Sequence, residues 1–212
     1  MSDLQCPATL LIARHGEARY AGSAMEGVLS DEGDALTDRG RGQVRHLVDQ
    51  VRSRRVAAVY SSRMTQAVES AELAASELSL LPVAVDGLEE FSVGDLAGVS
   101  IHDERAKRVF DAWLLGDLDI GCPGAEDGHL VVKRFTEAIG GIADTHRGEA
   151  VLVFTHGGVM SLAIPRVSVN AGRDVAARRF LANCAVAEVE VDADGWRLVT
   201  WPGTTDPDPV LV

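Results

Sequence analysis

Thr9-Leu10-Leu11-Ile12-Ala13-Arg14-His15-Gly16-Glu17 is the stretch on which the reading of the whole chain turns. The run from Thr9 to Ala13 has the length and apolar character of a buried strand. It stops abruptly at an arginine, a histidine and a glycine. In an open α/β sheet, ligand crevices lie outside the carboxyl ends of the strands. Arg14 and His15 therefore stand where a ligand would sit, and the remaining chain is read for groups brought to that edge.

Working outward, Thr37 predicts a helix cap, and Val44, Leu47, Val48 and Val51 form a one-sided apolar stripe behind it. Val56 to Tyr60 predicts a second buried strand. Ser61-Ser62 predicts a cap for a helix over about 64–78, with Ala71, Ala74, Ala75 and Leu78 facing inward. Pro82 predicts the break after that helix, and Val83 to Val85 a short third strand. A helix carrying Val109, Phe110, Trp113 and Leu114 follows, then another carrying Leu130, Val131, Phe135, Ala138, Ile139 and Ile142. Val151 to Phe154 is the most strongly apolar strand and ends in Thr155-His156-Gly157-Gly158. Helix character resumes from Val159 to Pro165. Ala185 to Val191 and Trp196 to Trp201, with a turn at 192–195, predict a terminal hairpin. Strands alternating with helices imply a three-layer α/β/α sandwich with a mostly parallel central sheet plus at least one antiparallel strand.

Composition narrows the class. The 212 residues suffice for one compact domain with a sizeable core. With 32 acidic against 20 basic residues the net charge is -12, which makes nucleic acid and anionic membranes poor partners. Cys6, Cys122 and Cys184 lie far apart and form no CxxC pair, as expected of a reduced, cytoplasmic chain. No apolar run approaches the ~18 residues of a membrane span. The N-terminal run is too short, and lacks the basic lead-in, for a secretory signal.

Two histidines occupy equivalent settings. His15 follows the first strand and His156 the strand at 151, each flanked by glycine, which lets backbone approach a ligand closely. If the two strands are parallel, both imidazoles emerge at one sheet edge. A helix starting near Gly158 would aim its positive end there. Two imidazoles, an arginine and a helix N-terminus describe an oxyanion site of the kind that suits phosphate. No HxH, HExxH or Cys-His cluster accompanies them, so no metal and no other cofactor is expected.

These residues make the chain resemble the histidine phosphatase superfamily, the phosphoglycerate-mutase-like fold. Arg14-His15-Gly16 matches the hallmark at the end of the first strand. Leu36-Thr37-Asp38-Arg39-Gly40-Arg41-Gly42-Gln43 is similar to the LTxxGxxQ helix start. Leu88-Glu89-Glu90-Phe91-Ser92-Val93-Gly94 is similar to LxExxxG, Pro123-Gly124-Ala125-Glu126-Asp127 to PGGES, and Phe154-Thr155-His156-Gly157-Gly158 to the late HGG block. Asn183 before the hairpin also resembles the family pattern. The blocks run in order from about residue 9 to 200. The resemblance implies one domain over 1–212, with loop and helix insertions at 20–36 and 92–122 near the site. It implies that His15 is a nucleophile forming a phosphohistidine, that Arg14 and His156 bind the phosphoryl group, and that Glu90 is the acid, with Glu89 as the neighbouring candidate. A small phosphorylated substrate goes with that reading, and a homodimer is compatible with it.

The chain departs from the family at two points. A second phosphate-binding arginine is expected in a pattern like SSxxxRAxxTA, and Gln66 holds its place in Ser61-Ser62-Arg63-Met64-Thr65-Gln66-Ala67. Arg63, three residues earlier, is the candidate to restore the charge from the same helix face. Where family members carry a phosphate-contacting asparagine, this chain has Ala21, with Ser23 nearby. The loop at 20–36 lacks the WN and GW features of the glycolytic mutases and carries Glu26, Asp31, Glu32 and Asp34. Three functions stay open at this point: a metal-independent phosphomonoester hydrolase, a phosphoglycerate-mutase-type transferase, and a phosphoryl-ligand-binding member with little catalysis.

Overall fold

The computed structural model describes residues 6–19, 31–100, 102–171 and 181–202. Ala21, Ser23 and Glu26 lie outside the described residues, as does the tail from residue 203 with Pro207 and Pro209.

Six strands form one sheet in the order β3-β2-β4-β1-β5-β6. They are β1 (Ala8–Arg14), β2 (Val56–Ser61), β3 (Pro82–Ala84), β4 (Ala150–Thr155), β5 (Val186–Asp192) and β6 (Gly195–Thr200). The first four are mutually parallel, β5 runs antiparallel beside β1, and β6 runs antiparallel beside β5. The expected three-layer sandwich with a mostly parallel sheet is therefore observed. Its central strands are buried on both faces, which is why they read as unbroken apolar runs. Along β1, Leu11 and Ala13 join a core under helices α1 (Asp38–Val51) and α2 (Thr65–Leu78). Leu10 and Ile12 join a second core under α3 (Glu104–Leu115), α4 (Gly128–Thr145) and α5 (Gly157–Val167).

Thr37 caps α1 as expected, its side chain accepting from the Gly40 N–H. Ser61 and Ser62 do not cap α2. Met64 stands at that N-cap without a side-chain bond, and Ser62 is diverted to His156. Pro82 does not end α2 either. Ser79, left-handed at φ 57, closes the helix, and Pro82 opens the edge strand β3, where its missing N–H is tolerated. Leu130 is half-exposed and does not join the inward stripe of α4. Helix α5 starts two residues earlier than the periodicity suggests and carries Pro165 within its last turn.

Candidate active site

Strands β1 and β4 are adjacent and parallel, with Arg14 opposite Thr155. The His15 N–H donates to the Thr155 carbonyl at 2.9 Å. The residue after each strand end therefore leaves the sheet at one edge, and the His15 and His156 rings lie 5.1 Å apart between centroids. Both are almost fully buried.

His15 Nδ1 lies 2.7 Å from the Gly16 carbonyl oxygen. A carbonyl can only accept, so Nδ1 carries the proton and Nε2 keeps its lone pair. Burial, reinforced by the Arg14 charge, lowers the His15 pKa from 6.5 to about 3. The turn that presents it is clamped on both sides. The Gly16 N–H donates to Ser70 Oγ on α2 at 3.1 Å. A Cβ on Gly16 would meet the Gly40 carbonyl of α1 at 2.7 Å, so only glycine lets α1 approach this closely. From the far end of the chain, Asn183 Nδ2 donates to the His15 carbonyl at 3.1 Å.

Arg14 is buried, and its Nη1 donates to the Leu181 carbonyl at 2.7 Å. Its side chain passes over Gly157, where a Cβ would meet Cδ at 3.3 Å and Nε at 3.4 Å. His156 Nε2 lies 2.7 Å from Ser62 Oγ. Burial, then His15, Arg14 and Arg134, holds the His156 pKa well below its usual range. Both imidazoles are thus neutral near pH 7, and one nitrogen of His15 is available for attack.

Glu90 reaches the same edge from the loop before α3. Its carboxylate accepts from the N–H groups of Gly158 at 2.8 Å, Val159 at 2.7 Å and Phe91 at 3.1 Å. The start of α5 was expected to face a bound phosphate. Instead two of its first amides hold the carboxylate, so the helix end serves the anion the protein itself supplies. Burial raises the Glu90 pKa, and the three N–H bonds, with Arg14, oppose the rise. Glu89 turns away. Its two oxygens accept from the Gly87 N–H at 2.8 Å and the Arg63 N–H at 3.2 Å.

Arg63 and Gln66 are placed differently from the sequence expectation. Helix α2 starts at Thr65 behind an extended Met64, so Arg63 lies outside the helix and shares no helix face with Gln66. The Arg63 guanidinium is exposed and grips the Asp86 carboxylate through Nε and Nη2, the latter at 3.2 Å. Gln66 is buried in the first turn of α2, one turn before Ser70, which itself donates to the Gln66 carbonyl at 2.7 Å. Gln66 Oε1 has no hydrogen-bond partner and lies against Gly33, where a Cβ would come within 2.2 Å of it. Phe91 stacks on Phe110 at 5.5 Å and meets Trp113 edge-on at 5.1 Å. Trp113 is core, while Phe91 and Phe110 are half-buried.

The structure thus gathers His15, Arg14, His156 and Glu90 and leaves Arg63 at the surface. Ser62 and Arg134 were missed. Ser62 has the sequence signature of a helix cap, and Arg134 is an ordinary charge on a helix until the fold sets it beside residues 87–90. Among the described residues no group of three or more His, Cys, Asp or Glu is placed to hold a metal ion.

Paired neutral histidines, a buried arginine and a carboxylate thus meet at one edge of a doubly covered α/β sheet. The profile of the histidine phosphatase superfamily (branch 1) matches residues 10–204, and the chain belongs to that superfamily. It is 29% identical over 201 residues to phosphoglycerate mutase-like protein 4 of Arabidopsis thaliana, covering 92% of this chain and 84% of the relative. It is 27% identical over 201 residues to a metal-independent phosphoserine phosphatase of the same plant, covering 91% and 80%. Among solved structures, Bacillus stearothermophilus YhfR superposes with a TM-score of 0.77 at 24% identity, over 93% of this chain and 98% of that one.

Proposed function

We propose that the protein is a metal-independent phosphomonoester hydrolase that works through a phosphohistidine on His15. The observation that carries the reading is the Nδ1–H of His15 bound to the Gly16 carbonyl, which leaves Nε2 unprotonated beside Arg14 and His156. In the first step the Nε2 lone pair attacks phosphorus, an N–P bond forms and the P–O ester bond breaks. Glu90 gives its proton to the departing oxygen. In the second step the Glu90 carboxylate takes a proton from water, water oxygen attacks phosphorus, and the N–P bond breaks to release inorganic phosphate. Arg14 and His156 bind the phosphoryl oxygens and stabilise charge in both transition states.

In this reading Arg63 exchanges Asp86 for the phosphoryl group when substrate arrives, giving up a solvent-exposed pair of small worth. The Arg63→Ala variant decides it: a fall of tenfold or more in kcat/KM supports the exchange, and an unchanged rate removes Arg63 from the site. The substrate is a small phosphorylated molecule, selected by residues of the 20–36 and 92–122 segments. The relative named as a phosphoserine phosphatase makes phosphoserine the first compound to assay. We place the chain in the cytoplasm as a reduced protein, in keeping with three unpaired cysteines. Among the described residues no helix is long and apolar enough to cross a membrane.

Rapid quench with p-nitrophenyl phosphate tests the mechanism. An acid-labile phosphoenzyme is expected in the native protein and none in His15→Ala. Full turnover by His15→Ala would overturn the reading.

A further inference from the structure

We propose that Arg134 is the positioning residue for Glu90, a guanidinium clamp that fixes the acid loop against helix α4 with Glu126 as its counter-ion. The proposal rests on Glu90 being the acid in the reaction above. Residues 85–93, which carry Glu90, belong to no helix or strand, so no backbone ladder sets the position of the acid. Side chains do that work. Arg134 Nη1 donates to the carbonyls of Gly87 at 3.0 Å and Glu89 at 2.7 Å, and Nη2 to that of Glu90 at 3.1 Å. Thr155 Oγ1 donates to the remaining carbonyl, that of Leu88, at 2.6 Å. Four consecutive carbonyls of the loop are thus held by two side chains, one of them on the strand that delivers His156.

The other edge of the guanidinium is closed by Glu126. Nε lies 2.9 Å from Glu126 Oε2, and Nη2 lies 2.7 Å from Oε1. All five N–H donors of an arginine are engaged, in one plane, across two segments distant in sequence. The backbone approaches as closely as the side chain. Gly87 is left-handed at φ 96, and a Cβ there would meet the Arg134 carbonyl at 2.9 Å and Ala138 Cβ at 3.0 Å. Arg134 holds the main chain of Glu90 from behind while α5 holds its carboxylate in front. A lysine keeps the charge but offers donors from a single point, and cannot span three carbonyls and a carboxylate.

A misplaced acid matters most where the leaving group needs a proton. The test compares kcat/KM for phenyl phosphate with that for p-nitrophenyl phosphate, whose leaving group departs without one. Native protein, Glu90→Gln, Arg134→Lys and Glu126→Gln are measured side by side. Arg134→Lys is expected to lower the phenyl to p-nitrophenyl ratio about tenfold, part of the ~10²–10⁴-fold that a placed proton donor contributes. Glu126→Gln, which leaves the guanidinium present but less restrained, shifts the ratio the same way by less. Inhibition by inorganic phosphate stays unchanged in both, because Arg14, His15 and His156 are untouched. A purely structural role lowers both substrates equally and leaves the ratio alone, and that result overturns the proposal. If the ratio responds to Glu90→Gln but not to Arg134→Lys, this proposal alone falls. If it does not respond to Glu90→Gln, the acid assignment falls first and this proposal with it.

Discussion

At the residue scale, the site is defined by groups kept out of their usual charge state. His15, whose pKa drops from 6.5 to about 3, and His156, held well below its usual range by burial and then by His15, are both buried neutral. The unfolded chain binds protons at both near pH 6.5, the folded chain does not, so folding stability rises with pH across that interval. Stability is fully present above about pH 6.5 and is lost as pH falls toward 3. Glu90, raised from 4.5, acts with the opposite sign, being protonated in the folded chain where the unfolded one is ionised. The two histidines outweigh it, so the urea midpoint is expected to fall steadily from pH 7 to pH 5. The fall becomes markedly shallower in His15→Gln, which a denaturation series at several pH values checks. Gln66 supplies a second residue-scale expectation. Its carboxamide carries no charge and is covered by Gly33. Gln66→Arg restores a cation where the family carries one, yet must push Gly33 aside. About a tenfold gain in kcat/KM together with a lower urea midpoint is expected, the gain being a fraction of what one charge donor is worth to a transition state. Unchanged activity would show that the buried arginine suffices. Gln66 and its missing charge were legible in the sequence, because the pattern around Ser61-Ser62 fixes the register. The direction of Arg63 was not, because it depends on Met64 being extended and on Asp86 arriving from beyond β3.

At the element scale, the site is made by ends: two strand ends supply His15 and His156, and one helix start receives Glu90. Gly158 is where α5 meets both Glu90 and its neighbour Phe91. A Cβ there would meet Phe91 Cε1 at 2.5 Å and Glu90 Oε1 at 2.7 Å. Gly158→Ala is expected to dislodge the carboxylate from the helix start and lower kcat by about 10²-fold, the lower range for a lost acid. Binding of inorganic phosphate changes little, so a matched loss of phosphate affinity would argue for wider collapse. Gly40 plays the structural counterpart on α1. A Cβ there would meet the Glu17 carbonyl at 2.0 Å and its N–H nitrogen at 2.8 Å, both main chain and unable to swing away. Gly40→Ala is expected to destabilise by about 1–3 kcal/mol, read from urea unfolding. Periodicity and unbroken apolar runs located nearly every element, since most helices bury one face and the central strands bury both. It misjudged their edges where a local signal served a tertiary purpose. Ser62 had the look of a cap and binds His156 instead. Pro82 had the look of a helix stop and instead begins the edge strand.

At the scale of the whole molecule, the charge of -12 surrounds an edge where Arg14 stands beside two neutral histidines. Repulsion at a distance slows the approach of a phosphorylated substrate, and salt screens it over a Debye length of ~10 Å at 0.1 M. Raising the ionic strength from about 0.02 to 0.2 M is expected to increase kcat/KM on the order of twofold; a decrease would mean that the local field of Arg14 governs encounter. The sheet order explains why the site stands where it does. Placing β1 beside β4 joins residues 15 and 156, and placing β5 against β1 brings Asn183 onto the His15 carbonyl. The sequence by itself determined the alternating α/β plan and the family, and singled out His15, Arg14, His156 and Glu90 as candidates, because hydrophobic period and short motifs are local properties of the chain. Only the tertiary structure decided that the first amides of α5 hold Glu90, that Ser62 meets His156, that Arg63 pairs with Asp86, and that Arg134 donates to the carbonyls of Gly87, Glu89 and Glu90. Each of those is a contact between segments far apart in the chain, set by which strands lie side by side and how closely glycine lets their flanking helices approach.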